Sequence, residues 1–175
     1  MAAEAHKRRL ILIGMMGSGK TTVGSLLSLA TGWQYVDNDE LVRRLTGRSA
    51  RQVLEERGEQ RLRKVETDAL RLGTELSGPI IVGVAAGTIL DQANRDRLRQ
   101  AGLVVWLRTD PAVLRKRAAS ATHRPFVDTD LDWIARTAEE RAPLYAEVAD
   151  LVVDTDATSP DESVRIIQEA IGAVE

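Results

Sequence analysis

Cysteine is absent from the sequence, and histidine occurs only twice, at His6 and His123. The lack of cysteine excludes disulfide bonds and thiolate zinc sites, and two histidines argue against a histidine-rich metal centre. Aromatic residues make up only 3% of the chain, and we interpret Trp33 and Trp106 as packing residues rather than as a binding surface. The hydrophobic fraction is 43%, which is enough to build a core and excludes a disordered chain.

An excess of charge of either sign is also missing, because 26 acidic residues face 24 basic ones, for a net charge of −2. A generic binder of nucleic acid or of membrane surfaces would carry a basic excess, so we expect neither partner. No apolar run is as long as a membrane span or as the core of a cleaved signal peptide. We therefore expect a cytoplasmic protein, and we expect it to be a monomer. At 175 residues the chain predicts one domain, 1–175.

Short apolar runs alternate with amphipathic segments along the chain. Five runs are predicted as strands, at Leu10–Ile13, Gln34–Val36, Pro79–Val84, Leu103–Leu107 and Leu151–Val153. Helices are predicted between them, at Thr21–Thr31, Ser49–Arg57, Glu59–Leu76, Gln92–Gln100, Pro111–Ala119, Trp133–Ala146 and Asp161–Ile171. This alternation predicts an α/β fold with a parallel sheet and helices on both faces. The irregular segment at about 120–132 has a length typical of functional lids or of disordered segments.

One segment matches a pattern with a known chemistry. Gly14–Thr21, G-M-M-G-S-G-K-T, fits the phosphate-binding pattern G-x-x-x-x-G-K-[ST], and it follows a predicted strand and opens a predicted helix. The alternative is a glycine-rich turn before an ordinary helix. The motif predicts a three-layer sandwich of the P-loop NTPase type, with a five-stranded parallel sheet. The chain has no guanine-reading N-K-x-D motif and is short for a helicase or motor, so its size fits a small-molecule kinase.

Each position of this motif has a physical task. Gly14, Gly17 and Gly19 allow positive φ and let backbone N–H groups approach phosphate oxygens, and the following helix adds its positive N-terminal end. Lys20 is expected to bind the β- and γ-phosphates, and the Thr21 hydroxyl can ligate Mg²⁺. The predicted nucleotide-binding residues of this segment are Gly14, Gly17, Ser18, Gly19, Lys20, Thr21 and Thr22.

Beyond the phosphate loop, the sequence resembles the shikimate kinase family over nearly its whole length. Four motifs are similar to those of the family: D-x-D in Tyr35–Asp39, G-E-x-x-F-R-x-x-E in Gly58–Glu66, R-P-L in Arg124–Phe126 and R-x-x-L-Y in Arg141–Tyr145. Leu62 replaces the aromatic residue of the second motif. One element departs from the pattern, since Ala85-Ala86-Gly87 stands where the family has G-G-G.

The resemblance implies a reaction and a set of catalytic residues. ATP, with Mg²⁺, would phosphorylate the 3-hydroxyl of shikimate in aromatic amino-acid (chorismate) biosynthesis. Lys20, Asp39 and Arg124 would be catalytic: Asp39 would bind the substrate hydroxyls and accept a proton, and Arg124 would close over the phosphates from the lid at 120–132. Asp37 would hold Mg²⁺ together with Thr21.

The resemblance also implies where the two substrates bind. Arg63 and Arg141 would clamp the shikimate carboxylate, a task suited to the planar guanidinium group. Arg117 and Pro160 would flank the adenine. The remaining substrate-binding residues would be Asp39, Ala85, Ala86 and Gly87, with the substrate-binding helices at about 40–77.

Each of these residues also has a purely structural interpretation. Asp37 and Asp39 could cap a helix beginning near Glu40. Arg63 and Arg141 have acidic neighbours at helical spacing, which would suit solvated ion pairs. Arg117 belongs to a charge run that could be a wet helix face, and Pro160 could simply start a helix.

Ala85 and Ala86 leave the acceptor substrate open. Their methyl groups take up space, and any positive φ would be strained for alanine. The chain could tolerate the change, prefer a differently shaped substrate, or be a weak catalyst. The alternatives to shikimate kinase are therefore a kinase of another hydroxylated carboxylate, cyclitol or nucleoside monophosphate, and a non-catalytic nucleotide-binding homologue.

Overall fold

The computed structural model describes residues 8–119 and 131–174. Within them the chain forms a five-stranded parallel sheet of β1 (Arg9–Ile13), β2 (Gln34–Asp37), β3 (Ile80–Gly83), β4 (Leu103–Arg108) and β5 (Leu151–Asp154). The strand order is β2-β3-β1-β4-β5, and every neighbouring pair is parallel. Because β1 is central, the loop that follows it lies in the middle of the edge where all the carboxyl ends meet.

Seven helices and one short 3₁₀ helix connect the described strands. The helices are α1 (Lys20–Thr31), α2 (Asn38–Thr46), α3 (Ala50–Glu75), α4 (Gln92–Ala101), α5 (Pro111–Ala119), α6 (Leu131–Val148) and α7 (Pro160–Val174), and the 3₁₀ helix is Thr88–Leu90. None of the helices in residues 8–119 and 131–174 is long and apolar enough to cross a membrane.

Alternate residues of β1 enter two separate cores. Leu10 and Leu12 are fully buried in a cluster with residues of α1 and α7, whereas Ile11 and Ile13 are buried in a cluster with residues of α2, α3, α4 and α6. Successive strand residues point to opposite faces, and burying each such aliphatic side chain contributes about 1.5–3 kcal/mol. Two cores, one on each face, confirm the predicted three-layer α/β sandwich.

The long helix α3 contains the break that separates the two predicted helices. Gly58 has φ 77° and ψ 172°, which are not helical, so the chain bends between an Ala50–Arg57 segment and a second segment beginning at Glu59. The first segment starts with a capping box, in which Ser49 accepts from the Gln52 backbone and Gln52 accepts from the Ser49 backbone.

The lid predicted at about 120–132 overlaps the start of α6 at its C-terminal end. Residues 120–130, which include Arg124, lie outside the described residues, but Leu131 and Asp132 belong to α6. Asp132 is in the first helical turn, where its charge suits the helix dipole, and it pairs with Arg115 at 3.1 Å. Leu131 packs against the core.

Candidate active site

A cavity of about 380 Å³ opens at the carboxyl edge of the sheet. It is lined by the loop after β1, the end of β2, the loop after β3, and residues of α1, α2, α3 and α6. The predicted site residues that it brings together are Gly17, Gly19, Lys20, Thr21, Thr22, Asp37, Asp39, Arg63, Ala85, Ala86, Gly87 and Arg141. One continuous cavity therefore joins the phosphate loop to the two arginines predicted to hold a carboxylate.

The loop after β1 has the backbone of a phosphate-binding loop. The φ values of Gly14, Gly17 and Gly19 are 143°, 88° and 98°, as the motif predicts. A Cβ on Gly14 would lie 2.6 Å from the carbonyl oxygen of Leu107, so a side chain is excluded there by space as well as by φ. The Lys20 ammonium donates to the Gly14 and Met15 carbonyls at 2.8 and 2.9 Å, which fixes the loop around it.

The hydroxyl residues of the loop differ in exposure. Ser18 is fully buried, and its Oγ makes no hydrogen bond with any other residue of 8–119 and 131–174. Thr21 and Thr22 are exposed and line the cavity at the first turn of α1. Since α1 begins at Lys20, the positive end of its dipole faces the same space, which makes this end of the cavity suited to an anion.

Asp37 and Asp39 are both fixed by backbone contacts at the cavity wall. Asp37 ends β2 and caps α2 by accepting the Glu40 N–H at 2.8 Å, so the capping interpretation is correct for it. Asp39 accepts the Ala50 N–H at 3.1 Å and pairs with Arg43 at 3.2 Å, so it also connects α2 to the start of α3. The Asp37 carboxylate and the Thr21 hydroxyl line one cavity and are the hard oxygen donors that Mg²⁺ prefers, so these residues fit that ion.

Two arginines converge on a buried carboxylate. Arg63 donates to Glu66 at 2.9 Å and to Glu59 at 3.1 Å, and Glu66 is only 6% exposed. Burial raises the pKa of Glu66, while the charges of Arg63 and Arg141 oppose that rise. Arg141 is 8% exposed, so the solvated ion-pair interpretation is wrong for it. Both guanidinium groups line the cavity, where a carboxylate could add to the contacts that Arg63 already makes with Glu66 and Glu59.

The alanine-containing loop after β3 is not strained. Every residue with positive φ among those described is a glycine, so Ala85 and Ala86 adopt ordinary backbone conformations. Gly87 is different, because a Cβ there would lie 2.5 Å from Cζ of Arg63 and closer still to Nη1. The loop is also tied to α6, since the Tyr145 hydroxyl donates to the Ala86 carbonyl at 2.9 Å. Gly87 is the one glycine of the G-G-G pattern that this sequence keeps, and it is also the position where a side chain would collide with Arg63.

A second cavity, of about 340 Å³, lies against the phosphate loop and brings Arg117 and Pro160 together with Ser18 and Thr22. The Arg117 guanidinium donates to the carbonyls of Gly17 and Thr155, each at 3.0 Å. Arg117 therefore contacts the phosphate loop directly, which a solvated side chain on a helix surface would not do. Pro160 is the first residue of α7, as its helix-starting interpretation predicts.

Among the residues that were not predicted as site residues, Tyr35, Glu66 and Trp133 line the cavity, and Tyr145 donates to the Ala86 carbonyl. Glu66 and Tyr145 belong to motifs already recognised, so their position in those motifs was the available signal. Tyr35 precedes Asp37 by two residues, which places both side chains on one face of β2. Trp133 lines the cavity from α6, and nothing in its sequence neighbourhood indicates this.

Comparison with known proteins identifies relatives along the whole chain. A family model, SKI: Shikimate kinase, matches residues 16–172. The shikimate kinase of Marinomonas sp. is 35% identical over 165 residues, which cover 93% of this chain and 91% of that protein. The shikimate kinase of Moorella thermoacetica is 37% identical over 166 residues, which cover 94% of each. A solved structure of shikimate kinase from Acinetobacter baumannii in complex with shikimate has a TM-score of 0.84 at 28% identity, covering 98% of this chain and 97% of that one. On this evidence the chain belongs to the shikimate kinase family.

Proposed function

We propose that the protein is a shikimate kinase, which transfers the γ-phosphoryl group of ATP to the 3-hydroxyl of shikimate in aromatic amino-acid biosynthesis. The observation that carries the proposal is the shared cavity, in which Lys20 of the phosphate loop and the paired Arg63 and Arg141 line one space. A small hydroxylated carboxylate can reach both ends of that space at once.

The carboxylate of the acceptor binds Arg63 and Arg141 in this proposal. Glu66 accepts a hydrogen bond from Arg63, so the Arg63 guanidinium is oriented before the substrate arrives. The loop Ala85–Gly87 lines the same region, and its unstrained alanines leave the backbone N–H groups able to donate. This support favours a carboxylated acceptor over a nucleoside monophosphate.

The hydroxyl of the acceptor lies near Asp39 in this proposal. Its oxygen forms the new bond to the γ-phosphorus, the bond from that phosphorus to the bridging oxygen of ADP breaks, and the hydroxyl proton passes to the Asp39 carboxylate. Lys20 offsets the negative charge that spreads over the phosphate oxygens, and we assign the same task to Arg124 from the lid.

The nucleotide occupies the phosphate loop and the neighbouring second cavity. We assign Gly14, Gly17, Ser18, Gly19 and Thr22 to the phosphates, and Arg117 and Pro160 to the adenine. All of these except Gly14 line the second cavity. Thr21 and Asp37 would hold Mg²⁺, which neutralises phosphate charge when bound.

A coupled assay of ADP release tests the proposal across shikimate, quinate, gluconate and AMP as acceptors. We expect turnover with shikimate. The Lys20→Met variant should lose this turnover, because it lacks the positive charge that binds the phosphates and the ammonium that donates to the loop carbonyls. Turnover with AMP alone, or tight binding of MgATP without turnover of any acceptor, would contradict the proposal. The single domain and the cytoplasmic location remain predictions. The monomeric state is also a prediction, and sedimentation velocity tests it by measuring the mass in solution.

A further inference from the structure

Two glycines make room for the ring of Tyr35, the residue of β2 whose side chain enters the cavity wall. A Cβ on Gly24 of α1 would lie 2.7 Å from ring atoms of Tyr35, and a Cβ on Gly83 would lie 2.7 Å from the phenolic oxygen. Neither glycine has positive φ, so the backbone alone does not require them. The space that the Tyr35 side chain occupies explains why both positions are glycine.

The position of the phenol places its hydroxyl beside the two candidate magnesium ligands. Tyr35 and Asp37 share a face of β2, and Asp37 is the direct register partner of Gly83, which the hydroxyl approaches. The ring packs on Gly24, which shares a helix face with Thr21 three residues earlier. Both neighbours affect the pKa of Tyr35, which burial raises: the Asp37 charge raises it further and the Thr21 hydroxyl lowers it.

The hydroxyl itself is buried and makes no hydrogen bond of ordinary geometry with another residue of the described ranges. A buried, unpartnered hydroxyl costs about 1–3 kcal/mol, so its retention calls for a partner that the site supplies when it is filled. A threonine hydroxyl that ligates a metal uses an oxygen lone pair, and its hydrogen then needs an acceptor. The phenolic oxygen is suitably placed to be that acceptor.

We propose that Tyr35 is a positioning residue for magnesium. Its phenolic oxygen accepts the Thr21 hydroxyl hydrogen and turns the lone pairs of Thr21 to the cavity, while its own hydrogen is donated toward the Asp37 carboxylate. The proposal rests on the proposed function, in that it takes Thr21 and Asp37 as the metal-holding pair. It goes beyond that function because it concerns how Mg²⁺ changes the affinity for the nucleotide, and not how the acceptor binds.

The test is calorimetric titration of ADP into the whole protein, with and without Mg²⁺. The Tyr35→Phe variant keeps the ring on Gly24 and removes only the oxygen. We expect the tightening of ADP binding by Mg²⁺ to fall about tenfold, the lower end of what outer-shell partners contribute to metal affinity. The affinity for ADP without Mg²⁺ and the melting temperature should remain those of the parent protein.

Two further variants keep the result interpretable. Tyr145→Phe removes the hydroxyl of the other tyrosine in the sequence, which donates to the Ala86 carbonyl, and should leave the Mg²⁺ effect on ADP unchanged. Gly83→Ala should reduce that effect in the parent protein, because its Cβ displaces the hydroxyl, and should add nothing in the Tyr35→Phe background. All three atoms nearest to that Cβ belong to Tyr35.

Either of two results would overturn the role of Tyr35: an unchanged Mg²⁺ effect in Tyr35→Phe, or an equal loss of ADP affinity with and without the ion. Since shikimate is absent from these titrations, a failure of shikimate as a substrate in the ADP-release assay leaves the test of Tyr35 intact. The two proposals can therefore fail separately.

Discussion

Replacing Gly87 by alanine should damage the acceptor site while leaving the fold intact. The backbone of Gly87, at φ −83° and ψ −12°, is one that alanine adopts freely. The three atoms nearest to the added Cβ all belong to the guanidinium of Arg63, with Cζ at 2.5 Å and Nη2 at 3.1 Å. Because this is the far end of a flexible side chain, we expect Arg63 to move and the loop to stay.

The size of the movement sets the expected loss of activity. An ordinary contact needs about 3.4 Å, so the Cζ atom must retreat by about 1 Å. The retreat also breaks the geometry of the 2.9 Å bond from Arg63 to Glu66, which orients the guanidinium. A misplacement of about 1 Å can cost about 100-fold in rate, equivalent to about 2.7 kcal/mol of transition-state stabilisation. We therefore expect kcat/KM for shikimate to fall about 100-fold.

Steady-state kinetics with each substrate varied in turn is the assay. The loss should appear in kcat/KM for shikimate, with the KM for ATP and the melting temperature unchanged. Ala86→Gly is the matched control, since it removes a methyl group from the same loop and should change kcat/KM for shikimate by less than about threefold. A Gly87→Ala protein with parental kcat/KM for shikimate would refute the assignment of Arg63 to the carboxylate.

Three other substitutions separate the parts of the site. Tyr145→Phe leaves the Ala86 carbonyl without its hydrogen-bond donor. We expect a higher KM for shikimate and, by urea titration, a loss of about 1–3 kcal/mol in the free energy of unfolding. Unchanged values would contradict a role for this hydrogen bond in fixing the loop. Arg117→Ala removes the bond to the Gly17 carbonyl and should raise the KM for ATP but not for shikimate in the same kinetic assay. Ser49→Ala should cost about 1 kcal/mol through the lost cap of α3, a fall of about 2–4 °C in melting temperature by calorimetry, with kcat/KM unchanged.

The positions of the five strands along the chain and the phosphate loop could be predicted because their causes are local. The composition of Leu10–Ile13 alone predicts a buried strand. The spacing of Gly14, Gly17, Gly19 and Lys20 directly indicates a phosphate-binding loop. The break at Gly58 was predictable for the same reason.

What depends on distant packing could not be predicted. The burial of Arg141 and its electrostatic interaction with Glu66 depend on tertiary packing around the core that α3 and α6 share, and no local pattern distinguishes them from a surface ion pair. The absence of strain at Ala85 is a property of backbone dihedral angles, which the departure from a glycine pattern does not reveal. The start of α6 at Leu131 depends likewise on burial in the core.

The bend at Gly58 separates two helical segments of α3, each of which contacts or carries a residue proposed to bind the acceptor. The piece before it begins at Ala50, whose N–H holds Asp39, and the piece after it carries Arg63. A Cβ on Gly58 would have no atom within 4 Å, so only the dihedral angles of this residue oppose a substitution there. If Asp39 binds the hydroxyls and Arg63 the carboxylate, as proposed, the backbone angles of Gly58 contribute to the distance between them, and substitutions there are a route to acceptors of longer or shorter reach.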